Sequence, residues 1–502
     1  MSKPCVFLIN AGNDSERNVA NYAIFPPLNV LSLGSAVKHE FKDLSVRVYD
    51  GQACKARTIN KMIRRRVQKG DIVGISMLSG SFGNALSHAK AAKKKNAVTI
   101  LGNDHPAVYG HNILRDHSNV VDFICTADIG ELVFCHFLHN YLEGRKMNGI
   151  PQFMYMEKNG EVIVSGGDEL PKDSENHEDR YVLDNIPIIN WDLIRRNLWR
   201  YSIKYDRVYS RLLHATGHSH LPMAVTINRA RGCRRYGKPC IYCGIRNLKP
   251  RFSSPEFFWR EVSMAKEKVK AEIFYEACDN LTGKQATSWL RELVERRPEE
   301  LTDVKFFVYA EALNVTKELV RLYSQLGVFM VNMGLDSGDN ETLRILKSGW
   351  GDSVQHNRDA VDLLNGEKIN VYASFVFGAP GENAKSLQNT VKFTEDLLEH
   401  RRLAAIELDV LYPLFNAKAG EWLRKPEYAE KEASERGFKI MNPKKLEEMP
   451  KKWNTHNDPD PEKISRDWIE IFCDVTYEEI QNAIRRIEKV ADRHRVPYGK
   501  AW

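Results

Sequence analysis

The sequence has no apolar run long enough to span a bilayer. It also lacks a signal-peptide pattern, because Met1–Pro4 leads straight into the apolar stretch Cys5–Asn10 with no cleavage motif. These two absences predict a cytoplasmic protein with no membrane partner. An internal repeat and a low-complexity block are absent as well, so ordinary globular domains are expected.

Cysteine is too scarce for a disulfide framework. Nine cysteines occur in 502 residues, and most have the apolar neighbours of small buried side chains. Charge of one sign is not in large excess either, because the net charge is only +7. This charge is compatible with an anionic or nucleic-acid partner but does not argue for one. Contents of 43% hydrophobic and 28% charged residues are ordinary for a globular protein, and the length allows two or three domains.

The first part of the chain alternates short apolar runs with longer amphipathic stretches. The runs predict strands at Cys5–Ala11, Ser45–Tyr49, Ile72–Met77, Ala97–Leu101 and Val121–Cys125. The stretches between them predict helices, among them Leu28–His39, Ile59–Gln68, Gly83–Lys94 and Glu131–Tyr141. This alternation is typical of an α/β domain with a doubly wound, Rossmann-like parallel sheet, here over residues 1–148. Such sheets bind ligands at the carboxyl ends of their strands.

Residues 149–222 are interpreted as a connector. Tyr155–Val164 predicts a hairpin that turns on Asn159-Gly160, the dipeptide that type I′ turns favour. Asp168–Asp179 is polar, and a dense group of aromatic residues follows it. Those aromatic residues indicate packing between two domains.

A second alternating series follows the connector. Its predicted strands are Met223–Asn228, Glu272–Glu276, Lys305–Ala310, Phe329–Gly334, Val371–Phe377 and Ile406–Leu411. Six strand–helix units predict a partial (β/α)6 TIM-type barrel over residues 223–418, with its chemistry where the strands end. Residues 419–502 are charged and predict a helical C-terminal region, with polar breaks at Lys444–Lys452 and Asn457–Glu462.

Three cysteines stand apart from the others. Cys233, Cys240 and Cys243 fall within eleven residues, directly after the first barrel strand. Three thiolates can bind three irons of a [4Fe–4S] cluster and leave the fourth iron open. A zinc site is the alternative, although structural zinc takes four ligands. The nearest histidines, His214, His218 and His220, precede the strand.

The order of four short motifs resembles the radical S-adenosylmethionine (SAM) superfamily, in the branch with an N-terminal cobalamin-binding domain. The motifs are Pro239–Cys243 with its aromatic residue before the last cysteine, Tyr275–Asn280, Gly334–Gly338 and Val376–Glu382. The resemblance covers about residues 1–415. This chain departs from the family in having six residues instead of three between the first two cysteines.

The resemblance implies where SAM would bind. Asp336 stands where the family has a glutamate that helps to hold SAM, and Glu311 stands where an arginine is common. The implied SAM-binding residues are Tyr275, Glu276, Glu311, Asp336, Ser337, Phe377 and Gly378.

The N-terminal domain resembles the family's cobalamin-binding domain at its strand ends. The implied cobalamin-binding residues are Asn10, Asp50, Ser76, Leu78, Ser79, Gly102, Asn103, His105, Ala127, Gly130 and Glu131. The Asp-x-His-x-x-Gly motif of cobalamin mutases is absent, as Asp104 and His105 are adjacent. A Rossmann-like domain without cobalamin, which binds only a substrate or partner, is the alternative.

The resemblance implies an enzyme that forms the 5′-deoxyadenosyl radical and carries out cobalamin-dependent methyl transfer to an unactivated carbon, as in class B-like radical SAM methyltransferases. It implies a reductant such as flavodoxin or ferredoxin. The sequence does not identify the substrate, although a small molecule or peptide is favoured over a nucleic acid. No further catalytic residue is assigned. Three alternatives remain. The first is a cobalamin-dependent rearrangement, ring contraction or cyclisation, and the second a methylthiotransferase, which would need a second set of three cysteines. The third is a non-catalytic corrinoid or iron–sulfur sensor.

Overall fold

The computed structural model describes residues 3–13, 25–165, 181–199, 201, 222–245, 249–453 and 460–499. The polar stretch Asp168–Asp179 and the histidines His214, His218 and His220 lie outside the described residues. Among the described residues, no helix has the length and apolar character needed to cross a membrane.

The N-terminal sheet has seven strands in the order β2-β1-β3-β4-β5-β6-β7. Its first five strands run parallel: β1 (Val6–Asn10), β2 (Val46–Asp50), β3 (Ile72–Ser76), β4 (Val98–Gly102) and β5 (Phe123–Cys125). The helices between and after them are α1 (Leu28–Glu40), α2 (Ala56–Arg66), α3 (Phe82–Lys93), α4 (Asp104–His117) and α5 (Gly130–Leu142). The predicted doubly wound parallel sheet is confirmed.

The predicted hairpin is present, and it belongs to this sheet. Strands β6 (Phe153–Met156) and β7 (Val162–Ser165) pair antiparallel, and β6 pairs antiparallel with β5. Gly160 takes a φ of +88° in the turn, a conformation that glycine adopts without steric cost. The hairpin therefore extends the sheet edge instead of only linking two domains.

The second sheet has six parallel strands in the order β15-β14-β13-β12-β11-β8. The strands are β8 (Met223–Ile227), β11 (Ala271–Glu276), β12 (Lys305–Ala310), β13 (Val328–Asp336), β14 (Asn370–Phe377) and β15 (Leu403–Val410), and a short ribbon of β9 (Ala230–Arg231) and β10 (Arg251–Phe252) follows β8. Because β8 and β15 lie at opposite ends of this order, the barrel is open, as predicted. All six predicted barrel strands are found.

Helices cover the outside of this barrel. They are α6 (Pro255–Val269), α7 (Lys284–Glu295), α8 (Lys317–Leu326), α9 (Asn340–Leu346), α10 (Val354–Gly366) and α11 (Ala384–His400). Helix α6 begins as its sequence dictates, because the Ser254 side chain accepts a hydrogen bond from Phe257 N at 3.2 Å and proline occupies the first helical position.

The C-terminal region is helical: α12 (Lys418–Arg424), α13 (Pro426–Arg436), α14 (Pro443–Trp453), α15 (Pro461–Phe472) and α16 (Tyr477–His494). Beyond α16 the chain returns to the barrel edge. There, Ile406 N donates to Pro497 O at 2.9 Å, and Ile406 and Tyr498 form a parallel bridge beside β15.

Candidate functional site

The cysteine loop leaves the barrel where β8 ends. Its base is closed because β9 and β10 pair antiparallel, Arg231 opposite Arg251. Gly232 then turns with a φ of +92°, and its N–H donates to Asp279 Oδ2 at 2.9 Å. The loop thus starts from the carboxyl edge of the barrel sheet, the side on which such barrels carry their chemistry.

Two tight turns hold the cysteines. Tyr236 N donates to Cys233 O at 3.0 Å, and Cys243 N donates to Cys240 O at 3.2 Å. Asn280 Nδ2 contacts Cys233 Sγ at 3.8 Å. Hydrogen bonds to cysteine sulfur are among the contacts that tune iron–sulfur clusters.

The three thiols influence one another electrostatically. Burial raises the pKa of the Cys233 thiol. Burial raises the pKa of Cys240 to about 11 and that of Cys243 to about 12, and the negative charge of a neighbouring cysteine thiolate adds to both shifts. Three crowded thiols suit a polynuclear cation, which would neutralise all three thiolates together. Within the described ranges, no three or more His, Cys, Asp or Glu side chains form a group that could hold a metal ion as they are placed here.

The six-residue spacing produces an ordered loop. Its backbone docks on the segment after α9. There, Ile241 N donates to Leu346 O at 3.0 Å, Ser348 Oγ donates to Pro239 O at 2.5 Å and Trp350 Nε1 donates to Lys238 O at 2.7 Å. The longer spacing is thus accommodated by a matching surface on the barrel.

Two arginines from the inserted residues anchor it electrostatically. Arg234 Nη1 and Arg235 Nε each contact a different oxygen of the Glu311 carboxylate at 2.6 Å. Arg235 Nη2 also contacts both oxygens of Asp352, at 2.7 and 2.9 Å. Although burial works against ionisation, the two guanidinium groups keep the pKa of Glu311 below its usual value. Glu311, predicted to bind SAM, is thus engaged with the cysteine loop.

Asp336 lies at the end of β13 with a φ of +59°. Its carboxylate forms an ion pair with the buried Lys347 ammonium, whose Nζ also donates to Gly334 O at 3.1 Å. Burial, together with the Asp336 carboxylate, holds the pKa of Tyr242 well above its usual range. Asp336 therefore lies beside Tyr242 and close enough to Cys240 to raise the pKa of that thiol.

The other predicted SAM residues are placed at neighbouring strand ends. Glu276 is buried and accepts hydrogen bonds from Arg229 N and Ala230 N, and burial raises its pKa to about 8. Ser337 Oγ lies 2.9 Å from Thr390 Oγ1. Phe377 is fully buried.

The turn after β14 is covered by the C-terminal helices. Gly378 N donates to Glu382 Oε2 at 2.6 Å, and Gly378 O accepts from Trp468 Nε1 at 2.8 Å. Cys473 Sγ donates to Ala379 O at 3.3 Å. The turn after β14 is thus held by α15 and by the residue that follows this helix.

One large cavity lies between the two sheets, with a volume of about 790 Å³. From the barrel it is lined by Thr226, Asn228, Arg231, Gly232, Ile245, Tyr275, Ala277 and Asp279. From the N-terminal domain it is lined by eight of the predicted cobalamin residues: Asn10, Ser76, Leu78, Gly102, Asn103, Ala127, Gly130 and Glu131. Of the predicted SAM residues, Tyr275 lines it. Eight of the predicted cobalamin residues and one of the predicted SAM residues therefore line the same cavity.

Three predicted cobalamin residues do not line this cavity. Asp50 accepts hydrogen bonds from Tyr201 OH at 2.6 Å and from Asn10 Nδ2 at 2.8 Å. His105 is buried, with Nδ1 2.8 Å from Ser79 Oγ and its ring against Tyr109. These side chains support the cavity wall from behind, since each contacts residues next to or within it.

Several cavity residues were not among the predicted ones. Asn29 Nδ2 donates to Ser76 Oγ at 2.6 Å and contacts Asn10 Oδ1 at 3.2 Å, and Asn103 Nδ2 donates to the same Ser76 hydroxyl at 3.1 Å. Arg231 and Asp128 line the cavity on the side of the cysteine loop. Their nearness to the motifs was a usable signal, since Arg231 precedes the cysteine loop and Asp128 lies within the loop after β5.

Comparisons with known proteins agree with this geometry. Residues 227–394 match the family model of the Radical SAM superfamily. A protein of Pyrococcus horikoshii named as an uncharacterized methyltransferase is 24% identical over 381 residues, which cover 74% of this chain and 73% of that protein.

Two solved structures share the fold. OxsB, a cobalamin-dependent SAM radical enzyme solved with aqua-cobalamin and SAM, superimposes with a TM-score of 0.67 at 16% identity, covering 96% of this chain and 66% of its own. TsrM, a radical SAM methyltransferase from Kitasatospora setae solved with tryptophan substrate and a SAM analogue, gives a TM-score of 0.63 at 15% identity, covering 84% of this chain and 76% of its own. This chain thus spans about two thirds of the OxsB chain.

Proposed function

We propose that this chain, whose residues 227–394 match the Radical SAM family model, is a cobalamin-dependent radical SAM enzyme that methylates an unactivated carbon of its substrate. The observation that carries the proposal is the cavity of about 790 Å³ that is lined both by the N-terminal sheet and by Gly232, the residue next to Cys233. A methyl carrier and a radical source must act on the same substrate atom, so their sites must open into one space.

Cys233, Cys240 and Cys243 would hold the [4Fe–4S] cluster. Their loop is anchored before any metal enters, and a positioned ligand set reduces the ordering cost of metal binding. When bound, the cluster would supply the electron that cleaves SAM, and cobalamin would supply the methyl group. The remaining chemistry falls to side chains that bind, orient and shield.

The N-terminal cavity wall suits a broad, flat cofactor. Ser76, Gly102, Ala127 and Gly130 are small, so the wall presents backbone and hydroxyl groups instead of bulky side chains. A Cβ atom added at Gly130 would meet no atom within 4 Å, and one at Gly102 only Cys125 O at 3.7 Å. The chain therefore leaves space above this platform, and OxsB, which shares the fold, was solved with aqua-cobalamin.

The barrel wall would position SAM and the substrate. The Tyr275 ring stacks on the Phe307 ring with 5.0 Å between ring centres, and its centre lies 5.2 Å from that of Phe25. These rings give the barrel side of the cavity an aromatic surface. Asp279 lines the cavity while its carboxylate holds Gly232 N. Enclosure between two sheets would keep water and oxygen away from a radical intermediate.

A cobalamin-dependent rearrangement, ring contraction or cyclisation would use the same cofactors in the same cavity. A methylthiotransferase finds less support, because its second set of cysteines does not converge. Cys5 precedes the first residue of β1, whereas Cys125 is the last residue of β5, which runs parallel to β1 in the same sheet, so the two cysteines lie at opposite ends of the strands.

The test is an anaerobic reconstitution with iron, sulfide, hydroxocobalamin, SAM and titanium(III) citrate. Mass spectrometry would quantify 5′-deoxyadenosine and S-adenosylhomocysteine. The Cys233→Ala/Cys240→Ala/Cys243→Ala variant should lose the cluster and both products. A matched variant, Cys5→Ala/Cys54→Ala/Cys125→Ala, also lacks three cysteines and should keep both.

Each product pattern selects one function. Both products together support methyl transfer, whereas 5′-deoxyadenosine without S-adenosylhomocysteine supports a rearrangement. Loss of half the iron in the N-terminal cysteine variant would favour a methylthiotransferase. A wild-type protein that binds a cluster and never cleaves SAM would leave a sensor as the better interpretation.

A further inference from the structure

The outer face of the cysteine loop carries a compact basic and aromatic surface. We call this surface the loop face; it comprises Arg234, Tyr236, Lys238, Lys249 and Trp350. Tyr236 is 44% exposed, an unusual state for a large aromatic side chain. Lys238 and Lys249 are exposed too, and Lys249 Nζ lies 5.7 Å from the centre of the Tyr236 ring.

The charge that this surface presents is positive. Its acidic neighbours, Glu311 and Asp352, lie beneath it with side chains 7% and 4% exposed, and both are already paired with arginine. Arg234 and the buried Arg235 offset these two carboxylates, so the exposed Lys238 and Lys249 give the surface its net positive charge. An approaching protein would meet cationic and aromatic groups.

The loop face is also rigid. Trp350 Nε1 holds Lys238 O at 2.7 Å, and the Arg234 guanidinium lies 5.1 Å from the centre of the Trp350 ring. Preorganised side chains lose little entropy when a partner binds. Tyrosine, tryptophan and arginine are moreover the residues most enriched at the centres of protein interfaces.

Its position relative to the cluster ligands is the decisive point. Arg234 follows Cys233 directly, and Lys238 precedes Cys240 by two residues. None of the five loop-face residues lines the large cavity, whereas Gly232 and Ile245, at the two ends of the cysteine segment, do. An electron entering through the loop face would therefore reach the cysteines through the loop itself, without passing through the cavity.

We propose that the loop face is the docking surface for an acidic one-electron carrier protein of the flavodoxin or ferredoxin class. This inference rests on the proposed function, because the cluster must receive one electron for each SAM cleaved. In each encounter the reduced carrier gives up one electron, the cluster site accepts it, and the carrier leaves oxidised by one electron. Charge complementarity would steer the encounter and set its rate.

The experiment compares two reductants on one variant. Lys238→Glu/Lys249→Glu reverses two charges of the loop face without touching a cluster ligand or a cavity residue. With reduced flavodoxin as donor, we expect 5′-deoxyadenosine formation at subsaturating carrier to fall by about tenfold or more. With titanium(III) citrate, a small chemical reductant, the rate should stay equal to that of the wild type.

A matched control reverses two charges far from the loop. Lys61→Glu/Arg64→Glu, on the exposed side of α2, makes the same change in net charge and should leave both rates unaltered. The wild-type rate with flavodoxin should also fall as salt rises, whereas the loop-face variant should respond weakly.

The outcomes separate the docking proposal from the proposed function. Unchanged flavodoxin-driven rates in the loop-face variant would overturn the docking proposal alone. An equal loss with both reductants would also overturn it, since the lysines would then support the cluster loop structurally. A wild type inactive with titanium(III) citrate would overturn the proposed function itself.

Discussion

Arg231 Nη2 donates to Glu131 Oε1 at 3.0 Å, and this ion pair joins the strand that leads into the cysteine loop to the first turn of α5. The same Glu131 oxygen accepts from Ser32 Oγ at 2.6 Å. A second pair, Arg251 Nη2 to Asp128 Oδ2 at 2.8 Å, lies beside it. Both arginines belong to the β9–β10 ribbon, so one short ribbon fixes the orientation of the cysteine loop relative to the N-terminal sheet.

Glu131→Gln should destabilise the protein by about 3 kcal/mol, because it leaves the Arg231 guanidinium largely buried without its counter-ion. Arg231 and Glu131 side chains are only 15% and 8% exposed. Urea unfolding at neutral pH measures the effect. Glu40→Gln breaks the exposed pair with His139, 47% and 43% exposed, and should cost less than about 1 kcal/mol. Equal small losses in both variants would contradict a structural role for Arg231–Glu131.

Glu382 predicts a pH dependence with a defined sign. Burial raises its pKa from 4.5 to about 7, so the folded state favours the protonated acid. The stability it contributes is full below pH 4.5 and is lost as pH rises through 7, by about 3 kcal/mol in total. The glutamine of Glu382→Gln cannot ionise. As the pH rises from 4.5 to 7, the unfolding free energy of the variant should therefore increase relative to that of the wild type by about 3 kcal/mol. Parallel stability curves in urea would refute the assignment.

Glu311→Gln should loosen the inserted part of the cysteine loop. The neutral amide holds Arg234 and Arg235 less strongly, so amide hydrogen exchange in residues 234–241 should quicken by about tenfold, the equivalent of about 1.4 kcal/mol. Glu318→Gln breaks the exposed pair with Arg291 and serves as control. If Glu311 bound SAM instead, the KM for SAM would rise and exchange in the free protein would stay unchanged.

Gly130→Leu should block the cavity without unfolding the protein. Nothing lies within 4 Å of a Cβ built at Gly130, and leucine favours a helix more than glycine does. We expect lost hydroxocobalamin binding in an absorption titration, with iron content and thermal stability retained. Gly149→Leu, also in open space but outside the cavity lining, should bind normally. Normal binding by both variants would place cobalamin elsewhere.

The sequence predicted the strands well because their residues are apolar in the pattern that burial requires. Val6–Asn10 and Ile72–Ser76 are buried on both faces, as central parallel strands must be. Helical propensity at the C-terminal end was harder to judge. The stretch Lys444–Lys452 reads as a polar break, yet it forms helix α14 with Pro450 inside it. Its apolar stripe, including the buried Leu446 and Met449, decides the outcome.

The site was predictable where one residue type has one use, and less so where partners come from distant segments. Three cysteines spaced within one loop can be recognised as candidate metal ligands from sequence alone. The partners of Glu311 could not be predicted from sequence, because the arginines that bind it lie in a distant insert. Arg235, for example, precedes Glu311 by 76 residues. His105 looks like a ligand in sequence, but packing turns its ring toward Ser79 and Tyr109.

The bridge between Ile406 and Tyr498 has a consequence for handling the protein. Strand β15 is the last strand of an open sheet, and an uncovered strand edge invites pairing with a second molecule. The returning segment occupies one of its backbone donors, through Ile406 N and Pro497 O. Truncation of the chain after His494 would expose the edge of β15 to pairing with a second molecule. We therefore expect the truncated protein to aggregate, whereas protein with a tag added after residue 502 should remain monodisperse.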